Sequence, residues 1–206
     1  MNSLKSYISI RKGKSIVKAT DETVHQIVKD ALDRFGNDAD LNHIDVSQCT
    51  DLSSLFYDAH FTGDVSKWDV SNVTDFEYCF CSNPFDGDLS NWDMSSAVDL
   101  NSMFNLAPKF KGTGLKNWSE LLKNVKSTSH MFDKCQNLDG HELENWKFST
   151  KLEKADYMFS HCENLKCDLS KWDLTHIKKY EDIANMCFRC KNMSYSNFPK
   201  TRFMKS

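Results

Sequence analysis

Apolar positions recur along the chain with a period of roughly 24–28 residues, which is the range of short structural repeats. Tryptophan stands at 68, 92, 118, 146 and 172, and Ile44 takes the same place one repeat before the first of them. A second apolar column follows in each copy: Phe56, Phe80, Phe104, Phe132, Phe159 and Cys187. A third comprises Phe61, Phe85, Phe110, Leu138, Leu165 and Met193. Three aligned columns in six copies indicate an internal repeat.

Each copy of the repeat predicts one short strand and one short helix. Val65, Trp68 and Val70 suit an extended segment, and Ser71 then opens a turn. Apolar residues at i, i+3 and i+4, as in Leu52/Leu55/Phe56, are typical of one buried helical face. Such a unit cannot bury its apolar face alone and has to stack. We therefore expect an α/β solenoid, a leucine-rich-repeat-like stack of about six strand–helix repeats over residues 38–193.

The ends of the chain differ from the repeats. Residues 1–37 predict an N-terminal cap, with a hairpin around Lys12-Gly13 in "SYISIRKGKSIVKA". An amphipathic helix follows, with Gly36 after its end and an apolar stripe of Val24, Ile27, Val28, Ala31, Leu32 and Phe35. Residues 194–206 are expected to form a C-terminal tail or cap.

The repeat motif resembles a known family. The phrases "DVSKWDVSNVTDFEYCF", "DLSNWDMSSAVDLNSMF" and "CENLKCDLSKWDL" are similar to the BspA-like leucine-rich repeats, long catalogued as a domain of unknown function. The resemblance covers roughly residues 38–193. It implies an interaction protein, often of bacterial surfaces, in which no repeat position is catalytic.

The net charge of −3 hides a strong asymmetry along the chain. Residues 36–108 contain thirteen acidic residues and a single base, Lys67, whereas residues 1–35 and 109–206 are both net positive. A charged strip of this kind steers a partner of opposite charge. The acidic region therefore predicts a surface for a basic protein partner. In residues 109–206 bases and acids are mixed, which argues against direct nucleic-acid binding.

Acidic residues also recur in two columns. Four positions before the tryptophan column stand Asp40, Asp64, Asp88, Gly114, Glu142 and Asp168, and one position after it stand Asp45, Asp69, Asp93, Ser119, Lys147 and Asp173. Stacked carboxylates have three interpretations: turn residues that accept backbone N–H bonds, an acidic binding face, or ligands for Ca²⁺. We take the turn role as the main one and assign no metal. The aspartates expected to contact a partner are Asp45, Asp64, Asp69, Asp88 and Asp93.

The remaining chemical motifs are accounted for by the repeat. Cys187 and Cys190 have the spacing of a thiolate pair, but each occupies an apolar or small-residue column, so we predict packing. The tryptophans are likewise predicted to lie in the core. His130 and His161 can approach each other across neighbouring copies, but nothing in the sequence fixes them as ligands. No phosphate loop or nucleophile–base motif occurs, so we predict no enzyme activity and no cofactor.

The sequence thus predicts a non-catalytic protein–protein interaction module. One alternative is a small cytosolic inhibitor, encoded by a mobile element, whose acidic band blocks a basic or nucleic-acid-binding surface. A second alternative is a surface adhesin. No apolar run reaches the length of a membrane span, and the start lacks the apolar stretch of a secretory signal, so the expected location is the cytoplasm.

Overall fold

Regular secondary structure is sparse in this chain. The computed structural model describes residues 16–203. Within that range lie a two-stranded parallel sheet and one α-helix: β1 (Val17–Lys18), α1 (Val24–Phe35) and β2 (Ile44–Asp45). Three short 3₁₀ helices occur at Leu115–Trp118, His141–Leu143 and Tyr195–Asn197. The other described residues form turns, isolated bridges and irregular segments.

The prediction of an α/β solenoid of six strand–helix repeats is therefore wrong. No described repeat contains the expected pair of strand and α-helix, since α1 precedes the repeats and β2 is only two residues long. Around Trp68 and Trp92 the chain turns instead of extending, because their backbone N–H groups donate to the carbonyls of Val65 and Leu89, three residues back. Neighbouring copies form isolated parallel bridges there, such as Asp40–Asp64, and no continuous strands.

The expected helices are replaced by a hydrogen-bonded ladder between successive copies. In residues 52–58 every second N–H donates to the next copy: those of Leu52, Ser54, Phe56 and Asp58 reach the carbonyls of Asp75, Glu77, Cys79 and Cys81 at 2.8–3.0 Å. The intervening N–H groups of Leu55 and Tyr57 donate three residues back. An α-helix would need all of these donors for its own carbonyls. We call the corresponding segments ladder segments; they are 52–58, 76–82, 100–106, 128–134, 155–161 and 183–189.

Backbone dihedral angles in the ladder segments also exclude a helix. The third and seventh residues of every segment have a φ between 53° and 64°, as in Ser54 and Asp58 of the first and Asn185 and Arg189 of the last. This left-handed conformation is uncommon for residues other than glycine and interrupts a right-handed helix. Its recurrence at the same two positions makes it part of the repeat.

The apolar columns nevertheless form the core. All five tryptophans are at most 2 % exposed, which confirms the prediction that they pack inside. The rings of Phe56, Phe80, Phe104, Phe132 and Phe159 stack in one file, with centroids 5.1–5.7 Å apart and planes within 6° of parallel. The spacing is slightly wider than the roughly 4.8 Å between paired strands. Each copy thus adds one layer of aromatic rings to a continuous core.

The N-terminal helix covers the first repeat. The predicted amphipathic helix is confirmed as α1, and its Val24, Val28 and Ala31 join the common core. The backbone N–H of Gly36 donates to the Leu32 carbonyl and ends the helix, with a φ of 91° that favours glycine. The hairpin predicted around Lys12-Gly13 lies outside the described residues.

Candidate functional site

Nine aspartates of the first three repeats occupy three columns at the turns, which we call the acidic columns. The first column is Asp40, Asp64 and Asp88; the second is Asp45, Asp69 and Asp93; the third is Asp51, Asp75 and Asp99. In every one of them Oδ1 accepts the backbone N–H of the residue two positions later, at 2.7–3.1 Å. The local fold requires this because the short side chain closes a turn that the backbone alone leaves open.

The five aspartates predicted to contact a partner all belong to the first two columns. Asp64, Asp69, Asp88 and Asp93 are exposed, and Asp45 is half-buried. Their turn bonds account for their positions in the fold, as the main interpretation of the sequence expected. The predicted role in partner binding stays a prediction.

Hydrogen bonding stabilises the ionised form of two of these carboxylates. The side chain and backbone N–H of Ser47 hold the pKa of Asp45 below its usual value. The backbone N–H of Ser66 does the same for the pKa of Asp64. An anion that accepts such bonds keeps its charge more readily than one facing only water.

The third column is electrostatically different and was missed by the sequence analysis. Burial raises the pKa of Asp75, and the neighbouring carboxylates of Asp51 and Asp99 raise it further. Burial likewise raises the pKa of Asp99, with a further contribution from Glu77. The signal was present in the sequence, because an aspartate stands at the same offset after Ile44, Trp68 and Trp92. Perturbed carboxylates of this kind mark a candidate functional surface.

The third column changes character where the acidic region ends. Beyond Asp99 its positions are taken by Ser127 and Lys154, joined by the same parallel bridges. A polar cleft of about 500 Å³ lies at this transition, lined by Glu77, Asp99, Lys126 and Lys154 among others. Within it the amide of Asn101 donates to the Glu77 carboxylate at 2.7 Å. The cleft is thus the place where the negative and positive parts of the chain meet.

The cysteine columns are structural. Cys135, Cys162 and Cys190 are buried, and each thiol donates to a phenylalanine carbonyl of the preceding repeat at 2.9–3.0 Å. The thiol of Cys187 lies beside that of Cys190, and hydrogen bonding to Cys190 together with burial raises the pKa of Cys187 well above its usual value. A metal ligand or nucleophile needs a lowered pKa. The structure therefore confirms the packing role predicted for these residues.

Two histidines converge on one buried carboxylate. Nδ1 of His130 lies 3.4 Å from Asp133 Oδ2, and Nδ1 of His161 lies 3.5 Å from Asp133 Oδ1. The approach of His130 and His161 across copies thus occurs through Asp133, which sequence spacing did not reveal. Among the residues that the structure describes, no group of three or more histidine, cysteine, aspartate or glutamate side chains is arranged to hold a metal ion.

Stacked turns, a continuous aromatic core and regularly spaced carboxylates define a repeat protein. Its family is identified by a match over residues 23–146, with a second match over residues 115–198, to the family described as "Mycoplasma protein of unknown function, DUF285". The chain belongs to this family. Searches of curated proteins and of solved structures gave no match. The resemblance to BspA-like repeats stays a prediction.

Within residues 16–203, none of the helices has the length and apolar character needed to cross a bilayer.

Proposed function

We propose that the protein is a non-catalytic binding module whose acidic columns bind a basic protein partner. The observation that carries this proposal is the regular array of carboxylates in residues 40–99, in a region of thirteen acidic residues with Lys67 as the sole base. Complementary charge of this kind speeds association and selects against partners of the same sign. The proposal includes a cytoplasmic location, where buried, unpaired cysteines remain reduced.

The turn bonds support this role because they order the carboxylates before binding. In each acidic-column residue one oxygen is held by a backbone N–H, as Asp69 Oδ1 is by Ser71 N–H and Oγ–H. Side chains that are already ordered lose less conformational entropy on association. Successive members of a column follow one another at the repeat spacing, which suits a large partner with several cations.

Buried thiols support binding over catalysis. Burial raises the pKa of Cys49 to about 11 and of Cys167 to about 12, so neither is a ready nucleophile at neutral pH. Asp75 and Asp99, whose pKa values are raised, lie in a column of like charges. Burial and the neighbouring carboxylates account for these raised pKa values.

The decisive variant carries Asp64→Asn, Asp69→Asn, Asp88→Asn and Asp93→Asn. Asparagine keeps an Oδ1 acceptor for the turn and replaces the charged second oxygen by a neutral NH₂ group. The matched control is Asp168→Asn with Asp173→Asn, which changes the same turn positions in the last repeat, where Lys171 and Lys200 lie nearby. Affinity capture from a lysate of the producing cells, at low and at high salt, compares the three proteins.

We expect the wild type and the control to retain the same partner at low salt and the fourfold variant to lose it. Binding should also fall steeply as salt rises, because exposed charges are screened. A partner that binds the fourfold variant as well as the wild type would remove the acidic columns from the proposal. Competition by added DNA or RNA would identify the partner as a nucleic-acid-binding protein and favour the inhibitor alternative.

A further inference from the structure

The ladder between repeats has a direction. Between neighbouring ladder segments, every second N–H of the earlier segment donates to a carbonyl of the later copy. At the last boundary the donors Ala155, Tyr157, Phe159 and His161 reach Asp182, Ala184, Met186 and Phe188 at 2.7–3.0 Å. Residues 183–189 therefore use their carbonyls toward the preceding repeat and turn their donors outward.

The outward donors have no partner within residues 16–203. The backbone N–H groups of Asn185, Cys187 and Arg189 are the counterparts of Tyr157, Phe159 and His161, yet no described residue accepts a hydrogen bond from them. We call this row the donor edge. A row of unpaired N–H groups at every second residue is a template for another main chain.

An apolar cleft runs along the donor edge. It has a volume of about 390 Å³, and its lining includes Asn185, Cys187, Phe188, Tyr195, Phe198 and Phe203. Several of its aromatic side chains are exposed, with Tyr180 at 62 % and Tyr195 at 67 %. Exposed aromatic rings beside unpaired donors are typical of a recognition surface.

The direction of the ladder excludes a second copy as the occupant. Two donor edges brought together would oppose N–H to N–H. A donor edge against the other end of a second copy would meet α1, whose Val24, Val28 and Ala31 are buried there and whose His25 bonds the Ser53 carbonyl at 3.0 Å. The occupant must offer a free row of carbonyls.

We propose that the donor edge binds a peptide segment of another protein, which supplies main-chain carbonyls to Asn185, Cys187 and Arg189 and inserts apolar side chains into the cleft. This continues the pattern of the internal boundaries, where the same donors meet carbonyls of a following segment. The site lies in the last repeat and is separate from the acidic columns.

The probe is a synthetic peptide with the sequence of residues 99–110, DLNSMFNLAPKF. In the protein this segment presents the carbonyls of Asp99, Asn101, Met103 and Asn105 to the donors of the preceding repeat, and it contains no cysteine. Amide hydrogen exchange followed by NMR reports each N–H separately. We expect the amides of Asn185, Cys187 and Arg189 to exchange rapidly in the free protein and about tenfold more slowly with saturating peptide. Those of Tyr157, Phe159 and His161 should be protected in both states.

Two variants and a modified peptide make the test specific. Tyr180→Ser with Tyr195→Ser removes exposed rings from the cleft and should weaken peptide binding about tenfold. Tyr57→Ser, a tyrosine of similar exposure in the first repeat, should bind normally. A peptide with an ester in place of the Met103–Phe104 amide has a weaker carbonyl acceptor and should also bind less tightly.

Several results would overturn the proposal: no saturable binding, equal binding of the ester peptide, or protection only of amides outside the donor edge. Protection of the three edge amides in the free protein, with a dimer in sedimentation, would assign the edge to a second copy instead. The variant Asp64→Asn/Asp69→Asn/Asp88→Asn/Asp93→Asn should bind the peptide normally. Failure of the donor-edge proposal can therefore be distinguished from failure of the acidic-column proposal.

Discussion

At the scale of single residues, the same side chain has opposite energetic effects in different columns. Asp64 and Asp75 both close a turn through Oδ1, at 2.8 Å from the N–H of Ser66 and Glu77. The pKa of Asp64 is lowered by the backbone N–H bond, whereas the pKa of Asp75 is raised by burial and by two neighbouring carboxylates. Burial and neighbouring charge, which depend on the position in the stack, decide whether the pKa of the aspartate is raised or lowered.

We therefore expect Asp75→Asn to stabilise the protein at pH 7 and Asp64→Asn to destabilise it, each by about 0.5 kcal/mol because solvent screens both sites. A raised pKa in the folded state means that ionised Asp75 costs stability, and this cost disappears as the pH falls toward 3.8. The lowered pKa of Asp64 means a contribution that is present above 3.8 and lost below it. Urea unfolding at pH 7 and at pH 3.5 measures the change in unfolding free energy for each variant. Changes of the same sign in the two variants at pH 7 would contradict the opposite roles assigned to Asp64 and Asp75.

The tryptophan column makes a second prediction at this scale. The indole N–H of Trp92 donates to the Val65 carbonyl of the preceding repeat at 3.1 Å, and the other four tryptophans make the same bond. Trp92→Phe removes this bond, although the Val65 carbonyl keeps the backbone N–H of Trp68, and creates a small cavity, so we expect a loss of about 2–3 kcal/mol. Phe104→Leu, which removes ring volume but no hydrogen bond, should cost about 1 kcal/mol in the same denaturation assay. Equal losses would show that the indole bond contributes nothing.

At the scale of the element, the ladder segment is where the sequence analysis failed. Leu52, Leu55 and Phe56 are buried as a helical face would be, so the apolar spacing identified the inward side chains correctly. It could not identify the backbone conformation, because turns with left-handed residues at the third and seventh positions bury the same three side chains. The choice depends on where the N–H groups find carbonyls, and the next repeat supplies them.

The left-handed positions give a test of this element. Ser54 is exposed and has a φ of 55°. Ser54→Gly should leave stability unchanged or raise it by up to about 1 kcal/mol, whereas Ser54→Val should lower it by about 1–2 kcal/mol. In an α-helix the valine variant would be more stable than the glycine variant. The order of stability of the two variants therefore distinguishes a ladder segment from a helix. The same pair at Ser53, which is not among the residues with positive φ, serves as the control in thermal or urea unfolding.

At the scale of the whole molecule, the backbone groups at the two ends of the stack are hydrogen-bonded differently. At an internal boundary the Thr50 carbonyl accepts the N–H groups of Thr74 and Asp75. Before the first repeat the carboxylate of Asp21 takes that place, with Oδ1 accepting from the N–H groups of Thr50 and Asp51 at 2.7 and 3.1 Å. A side chain thus substitutes for the missing repeat at this end, while the donor edge at the other end has no counterpart among the described residues.

Asp21→Ala should therefore destabilise the first repeat by about 1–2 kcal/mol, as the loss of a helix cap does. Hydrogen bonds from Thr50 hold the pKa of Asp21 below 3.8, so the effect should be full at pH 7 and vanish as the pH falls through the lowered pKa. Amide exchange should accelerate most at Thr50 and Asp51. Asp38→Ala, at another exposed aspartate, is the control; an identical exchange pattern in both variants would exclude the capping role.

The sequence by itself determined the repeat period, the buried columns and the capping helix, because burial depends on which side chains are apolar and how far apart they stand. Tertiary structure alone decided the backbone of each repeat, the raised pKa values of Asp75 and Asp99 and the direction of the ladder. These depend on hydrogen-bond partners and charges that lie a full repeat away in sequence and only one layer away in space, such as the Asp75 carbonyl that accepts from Leu52. The spacing of apolar residues determines which side chains are buried, and hydrogen bonds to the neighbouring repeat determine the backbone conformation that buries them.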